Sequence, residues 1–314
     1  MTDTLKLVID CDPGTDDAQA IMMTLVRPGV QLLAVTTVEG NAPVANTTRN
    51  ALRILNLCQS KVPVYRGSGT SLLGEPTVGD GFHGKDGMGD IPGQYPPDDS
   101  LLEKEHAATA LVRLAQENPG EINLVALGSL TNLALAIRLD PDFGKKLKHC
   151  YIMGGNISGK GNITQSAEFN FYCDPEAAMV VLNQLRCPIT LAAVEVCLQF
   201  SFSWEWYDKF SNINTAKAKF IKDIDKAFVA NCHRVGRDQK YPCWDQLAVA
   251  ACLRPAVVKA TQHVYATVET AGRLTRGQMV VDWGGQLARP HNVHLITDVD
   301  VAAYEGLLMD AVLK

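Results

Sequence analysis

Short runs of Leu, Val and Ile recur along the first two-thirds of the chain. After each run, apolar residues return every three or four positions. Leu5–Asp10, Gln31–Val38, Val62–Tyr65, Ile122–Leu127, His149–Met153 and Pro188–Ala193 read as strands. Asp16–Val26, Val44–Cys58, Ala107–Gln116, Leu130–Leu139 and Pro175–Leu185 read as the helices between them. Strands that are apolar throughout, alternating with helices, imply a parallel sheet covered on both faces. Past Trp204 the pattern changes. Trp204–Asn231 is helical and more polar, and Gln246–Cys252 is a short apolar helix. Thr261–Glu269, Gln278–Trp283 and Asn292–Thr297 alternate as antiparallel strands do, and Val299–Leu313 closes the chain as a helix. The expected fold is α/β, one domain over residues 1–314. It has a mostly parallel, Rossmann-like central sheet flanked by helices, with additional C-terminal antiparallel strands.

Composition narrows the function classes. A net charge of −5 over 314 residues, with no long Lys/Arg run, opposes a nucleic-acid partner, because phosphate binding needs a basic surface. Apolar stretches fall short of a bilayer span, and the opening MTDTLKLVID has neither the basic nor the apolar region of a secretory signal. The nine cysteines are scattered and none forms C-x-x-C. Reduced thiols in the cytosol are expected.

Ligands of open α/β sheets bind beyond the carboxyl ends of the strands. The residues there are polar. The first strand ends in Asp10-Cys11-Asp12-Pro13-Gly14-Thr15-Asp16-Asp17, four carboxylates in eight residues. Packed together they repel, and a cation relieves that repulsion. A helix N-cap with first-turn acids accounts for one or two of them, not for the set. Carboxylate oxygens suit calcium or magnesium. The D-x-D nucleophile motif of aspartyl phosphatases fits poorly, because Gly14 stands at its fifth position and Thr15 comes one residue late. The second strand leads to Glu39-Gly40-Asn41. Between Gly67 and Ser100 runs a Gly/Pro/Asp-rich loop too long for a connector, carrying His83-Gly84-Lys85-Asp86-Gly87-Met88-Gly89. A lone loop histidine is ordinarily solvated. Backbone carbonyls after Leu127 face the same crevice. Asn162, Glu168 and Asn170 offer closely spaced amide and carboxylate groups, as vicinal sugar hydroxyls require. Asp245, before the apolar helix, reads in isolation as an N-cap.

Taken in order, D-x-D-P-G-x-D-D, T-T-V-x-G-N, H-G-x-x-G-M-G, M-G-G, A-E-F-N and a late Asp resemble the inosine–uridine nucleoside hydrolase family over nearly the whole chain. That resemblance implies hydrolysis of the N-glycosidic bond of ribonucleosides, with one calcium ion held by Asp12, Asp17, the carbonyl of Leu127 and Asp245. It implies Asp12 as general base and Asp10 as the group that orients the cluster. Asp16, Asn41, Asn162, Glu168 and Asn170 would hold the ribose, under a loop carrying His83. Members accepting both base classes have His before the late Asp; Trp244 stands there in this chain, as in purine-specific members. Trp stacks on a flat base. Purine nucleosides are therefore the expected substrates, against broad-specificity or uridine-preferring alternatives, or a non-catalytic nucleoside binder of the same fold. The H-G-x-x-G-M-G loop and A-E-F-N segment look more like the broad-specificity branch. Thr215–Asn231 and Cys232–Tyr241 would form a second lid, with Phe228 and His233 touching the base. A homodimer or homotetramer is implied.

Overall fold

The computed structural model describes residues 4–75, 79, 81–91, 93–236 and 239–314. Parts of the long loop after Gly67 and of the expected lid Cys232–Tyr241 lie outside them. In chain order the elements are β1 (Leu5–Cys11), α1 (Thr15–Leu25), β2 (Val30–Thr37), α2 (Val44–Leu57), β3 (Val64–Arg66), β4 (Leu102–Glu103), α3 (Ala107–Glu117), β5 (Ile122–Ala126), α4 (Thr131–Leu139) and β6 (Leu147–Met153). There follow α5 (Phe169–Cys173), α6 (Pro175–Gln184), β7 (Ile189–Ala192), α7 (Val194–Gln199), α8 (Trp204–Ser211), α9 (Ala216–Arg234) and α10 (Asp245–Leu253). The chain ends with β8 (Val258–Val264), β9 (Ala266–Val268), β10 (Met279–Val281), β11 (Val293–Val299) and α11 (Val301–Leu313).

The main sheet has the order β4-β3-β2-β1-β5-β6-β7-β11-β8. Its strands run parallel up to β11, which pairs parallel with β7 and antiparallel with β8. The C-terminal antiparallel strands are present: β8 pairs antiparallel with β11 at the sheet edge and β9 with β10 in a separate two-stranded ribbon, while β11 also extends the parallel sheet beside β7. Thr261–Glu269 is thus two strands, parted at Tyr265. Likewise Trp204–Asn231 is two helices, broken at residues 212–215, where Thr215 caps α9 through its hydroxyl.

Period-two geometry explains the layers. Leu7, Ile9 and Cys11 of β1 face one core with α1, α2, α9 and α10, while Val8 faces a second core with α3, α4 and α6. Apolar side chains cover both faces, as the largely apolar strands anticipate. No helix among the described residues is long and apolar enough to cross a membrane.

The chain winds from β1 towards β4 on one side, then restarts at β5 on the other. The order therefore switches between β1 and β5. Such switch points leave a crevice at the carboxyl ends of the strands. Residues 12–17 and 127–132 flank it.

Candidate active site

Pro13 and Gly14 turn the chain straight from β1 into α1. Gly14 N–H donates to Asp17 Oδ2 (2.7 Å), which ties the first turn of α1 back on the loop. Asp16 and Asp17 therefore sit side by side on that turn. Asp245 opens α10 as its first helical residue, so it is not the N-cap that its sequence context suggests; Trp244 occupies that position. α1 and α10 pack together. One oxygen each of Asp16, Asp17 and Asp245 lies within 4.8 Å of the others.

Asp12 enters the cluster from the end of β1. Asn41 N–H donates to its Oδ2 (2.7 Å), and the Asn41 amide reaches its backbone carbonyl (3.2 Å). The carboxylate lies in a slot between two glycines. A Cβ on Gly40 would come within 2.0 Å of Oδ2, and one on Gly128 within 2.6 Å of Oδ1. Asp10 points to the other face of the sheet, where Thr36 Oγ1 (2.5 Å) and Asn132 Nδ2 (2.8 Å) donate to it. Asn132 also bonds the carbonyl of Thr37 and the N–H of Ser68, so it ties β1, β2 and the loop after β3 together.

Asp12, Asp16, Asp17 and Asp245 are all buried. Burial first, and Asp16 next, push Asp17 up to about 8. Burial and the neighbouring aspartates push Asp12 and Asp245 well above the ordinary carboxylate range. Asp12 Oδ1 and Asp17 Oδ1 are enclosed and accept no hydrogen bond. Buried acceptors without donors cost about 1–3 kcal/mol each, more when charged. A divalent, oxygen-seeking cation removes both penalties, so the donor set fits one. The tightest oxygen triangle includes Asp16 beside the expected Asp17 and Asp245. Leu127 lines the same pocket, and its carbonyl accepts from Asn170 Nδ2 (2.8 Å).

Above the acids lies a pocket that opens to solvent, enclosing about 130 Å³. Asp16, Asn41, His83, Leu127, Asn162, Glu168, Asn170, Trp244 and Asp245 all line it. His83 is buried, not solvated as its loop position suggests, because the loop packs against α1 and α9. Thr15 N–H can only donate, and it meets His83 Nδ1 (3.3 Å) beside the Thr15 hydroxyl (3.0 Å). Nδ1 is therefore the acceptor, and the proton rests on Nε2, which faces Asp16 Oδ1 at 3.9 Å.

A family model described as "Inosine-uridine preferring nucleoside hydrolase" matches residues 7–306. The chain belongs to that family. This nucleoside hydrolase is 32% identical over 315 residues to the inosine-uridine preferring nucleoside hydrolase of Crithidia fasciculata, covering 98% of this chain and 96% of the relative. It is 38% identical over 283 residues to uridine nucleosidase 1 of Arabidopsis thaliana, covering 89% and 82%. A solved inosine-guanosine nucleoside hydrolase superposes with a TM-score of 0.90 at 37% identity, covering 98% of each chain. The protein is thus an N-glycosyl hydrolase acting on ribonucleosides, from a metal-dependent family.

Two expected base contacts of the nucleoside hydrolase sit elsewhere. Phe228 is fully buried behind the pocket and stacks on His83, with centroids 5.3 Å apart. His233 is exposed and stacks on Trp204 at 5.2 Å, away from the pocket, because it lies on the outer face of α9. Two of the ribose candidates have structural duties. Glu168 caps α5, taking the N–H groups of Asn170, Phe171 and Gly155, and burial pushes it up to about 7. Asn162 Oδ1 accepts from Phe169 N–H (2.8 Å). Phe82, Met153, Ile163, Phe169 and Val235 also line the pocket and were not singled out from sequence. Phe82 and Phe169 adjoin His83 and Glu168, a signal that was available; Val235 carries none.

Proposed function

We propose that this nucleoside hydrolase is calcium-dependent and prefers purine ribonucleosides, namely inosine, adenosine and guanosine, yielding ribose and free base. The observation that carries the reading is the adjacency of Trp244 and Asp245. The aromatic wall for the base and the acid floor for the sugar begin at neighbouring residues of one helix. Phe82 adds a second ring, 6.0 Å from the indole. The name of the inosine-guanosine relative agrees.

Asp12, Asp17, Asp245 and the carbonyl of Leu127 would hold Ca2+, with Asp16 beside them. When bound, the ion supplies Lewis-acid activation of water and a grip on vicinal hydroxyls. Asp12 takes the proton of the attacking water, while Asn41 N–H fixes its Oδ2. The buried carboxylates stabilise the positive charge that grows on the ribose ring as the C–N bond breaks. Asp16, Asn41, Asn162, Glu168 and Asn170 line the sugar side. Trp244 stacks on the departing base, enriching a purine ring so that N7 takes a proton from water more readily; a pyrimidine has a smaller face and no N7. Free thiols at all nine cysteines support a reducing, cytosolic setting. A homodimer or homotetramer is inferred from the family, to be checked by light scattering.

Base release from inosine, guanosine, adenosine, uridine and cytidine decides the preference, and Asp12→Ala should abolish it. Uridine turned over as efficiently as inosine overturns the purine reading. Uridine preference is the second reading, favoured by the name of the 38%-identical Arabidopsis relative.

A further inference from the structure

Helix α9 runs alongside the loop that carries His83. Ile224, Phe228 and Asn231 recur at helical spacing and face it. A Cβ on Gly89 would fall within 2.4 Å of the Ile224 carbonyl oxygen, so the two backbones are in direct contact there. Phe228 stacks on His83 and meets Phe82 edge-on at 5.5 Å. One turn further, Asn231 Nδ2 donates to the carbonyl of Phe82 (2.9 Å) and to that of Gly81 (3.3 Å). Arg234 Nε donates to Asn231 Oδ1 (3.0 Å). Arg only donates, so the amide oxygen faces the guanidinium and the NH2 faces the two carbonyls. Immediately past α9, Val235 lines the pocket. The far end of the loop is tied separately: Asn50 Nδ2 bonds the carbonyls of Asp86 (2.8 Å) and Pro13 (3.0 Å).

We propose that Asn231 is a positioning residue whose amide latches the Phe82–His83 side of the pocket to α9, so that these two rings and Val235 approach or leave the substrate as one body. Asn231 lines no part of the pocket, and the acid cluster is held by other elements. Loosening the latch therefore lowers the fraction of enzyme with a formed pocket without altering the bond-breaking groups. Apparent affinity falls in proportion to that fraction.

The test uses the full chain with Asn231→Ala and Asn231→Asp. The aspartate keeps the size and the Arg234 partner but turns an acceptor towards two carbonyls. We expect KM for the best nucleoside to rise about tenfold in both, with kcat held within about threefold. Amide hydrogen exchange should quicken over residues 81–89 and stay unchanged in β1 and α10. A merely structural loss would lower the melting temperature and leave the KM of the folded enzyme alone. KM within about twofold of the parent together with unchanged exchange in both variants overturns the latch, as does a fall confined to kcat. The kinetic arm rests on the hydrolase reading and the exchange arm does not. A parent enzyme that releases no base from any nucleoside therefore sinks that reading alone, and exchange still decides the latch.

Discussion

Gly40 offers the sharpest test of how Asp12, the proposed general base, is held. Its φ lies outside the left-handed range that favours glycine, so Gly40→Ala acts through space. The added Cβ would stand 2.0 Å from Asp12 Oδ2 and 2.8 Å from its Cγ. Ordinary contact begins near 3.4 Å, so the carboxylate must retreat by about 1.4 Å. On its other side the carboxylate already lies close to Gly128, where a Cβ would stand 2.6 Å from Oδ1. Asp12 must therefore rotate out of its slot and lose the Asn41 N–H bond. A displacement of about 1 Å at a reacting group costs roughly a hundredfold in rate, equivalent to about 2.7 kcal/mol of barrier. Overpacking adds about 1–3 kcal/mol of lost stability. The assay is kcat/KM for base release, normalised to folded protein by near-ultraviolet circular dichroism. Gly306→Ala is the control: it lies in α11 with nothing within 4 Å of the added methyl, so kinetics should hold while stability rises by about 0.5–1 kcal/mol. A folded Gly40→Ala enzyme with kcat/KM within about fivefold of the parent refutes the pinched-carboxylate argument.

Three more outcomes follow from the same geometry. Chelation with EDTA should stop base release and lower the melting temperature, and Ca2+ should restore both better than Mg2+; turnover that persists after exhaustive chelation contradicts the cation reading. Trp244→His should raise kcat/KM on uridine relative to inosine, and an unchanged ratio argues that the indole plays no part in base choice. Asp225 is fully buried, accepts from Tyr241 OH (2.8 Å) and is pushed up to about 7 by burial. The folded state then keeps a proton that the unfolded chain loses near pH 4, so this group's stabilising contribution falls as pH rises from about 4 to 7, by up to about 4 kcal/mol. In metal-replete buffer Asp225→Asn should flatten that slope, and parallel stability–pH curves for variant and parent count against it.

Much of this architecture is visible in one dimension. Leu5–Asp10 and Ile122–Leu127 are mostly apolar because both faces are covered, and the acids follow the strands because the crevice lies there. What escapes the sequence is what depends on distant partners. β4 is two residues long and exists only by pairing with β3. α5 is set by the Glu168 cap, which looks like any polar loop residue. β11 alternates as an edge strand would, yet it joins β7 in parallel, a choice made by tertiary packing. His83 resembles a solvated loop histidine until Thr15 and Phe228 enclose it. Asn132, Asn50 and Asn231 give no signal at all, since each acts by bridging segments 30 to 150 positions apart. Asp245 reads as a cap because its role depends on α10 meeting α1.

The acid cluster draws its members from distant parts of the polypeptide, residues 12 to 17 near the start and residue 245 more than two hundred positions later. No ribosome-bound intermediate lacking α10 can complete it. On the proposed cation reading, ion capture waits until α10 has been made and packed against α1. On that reading, occupancy would fasten α1 to α10 across a long closure, so the cation would act as a staple.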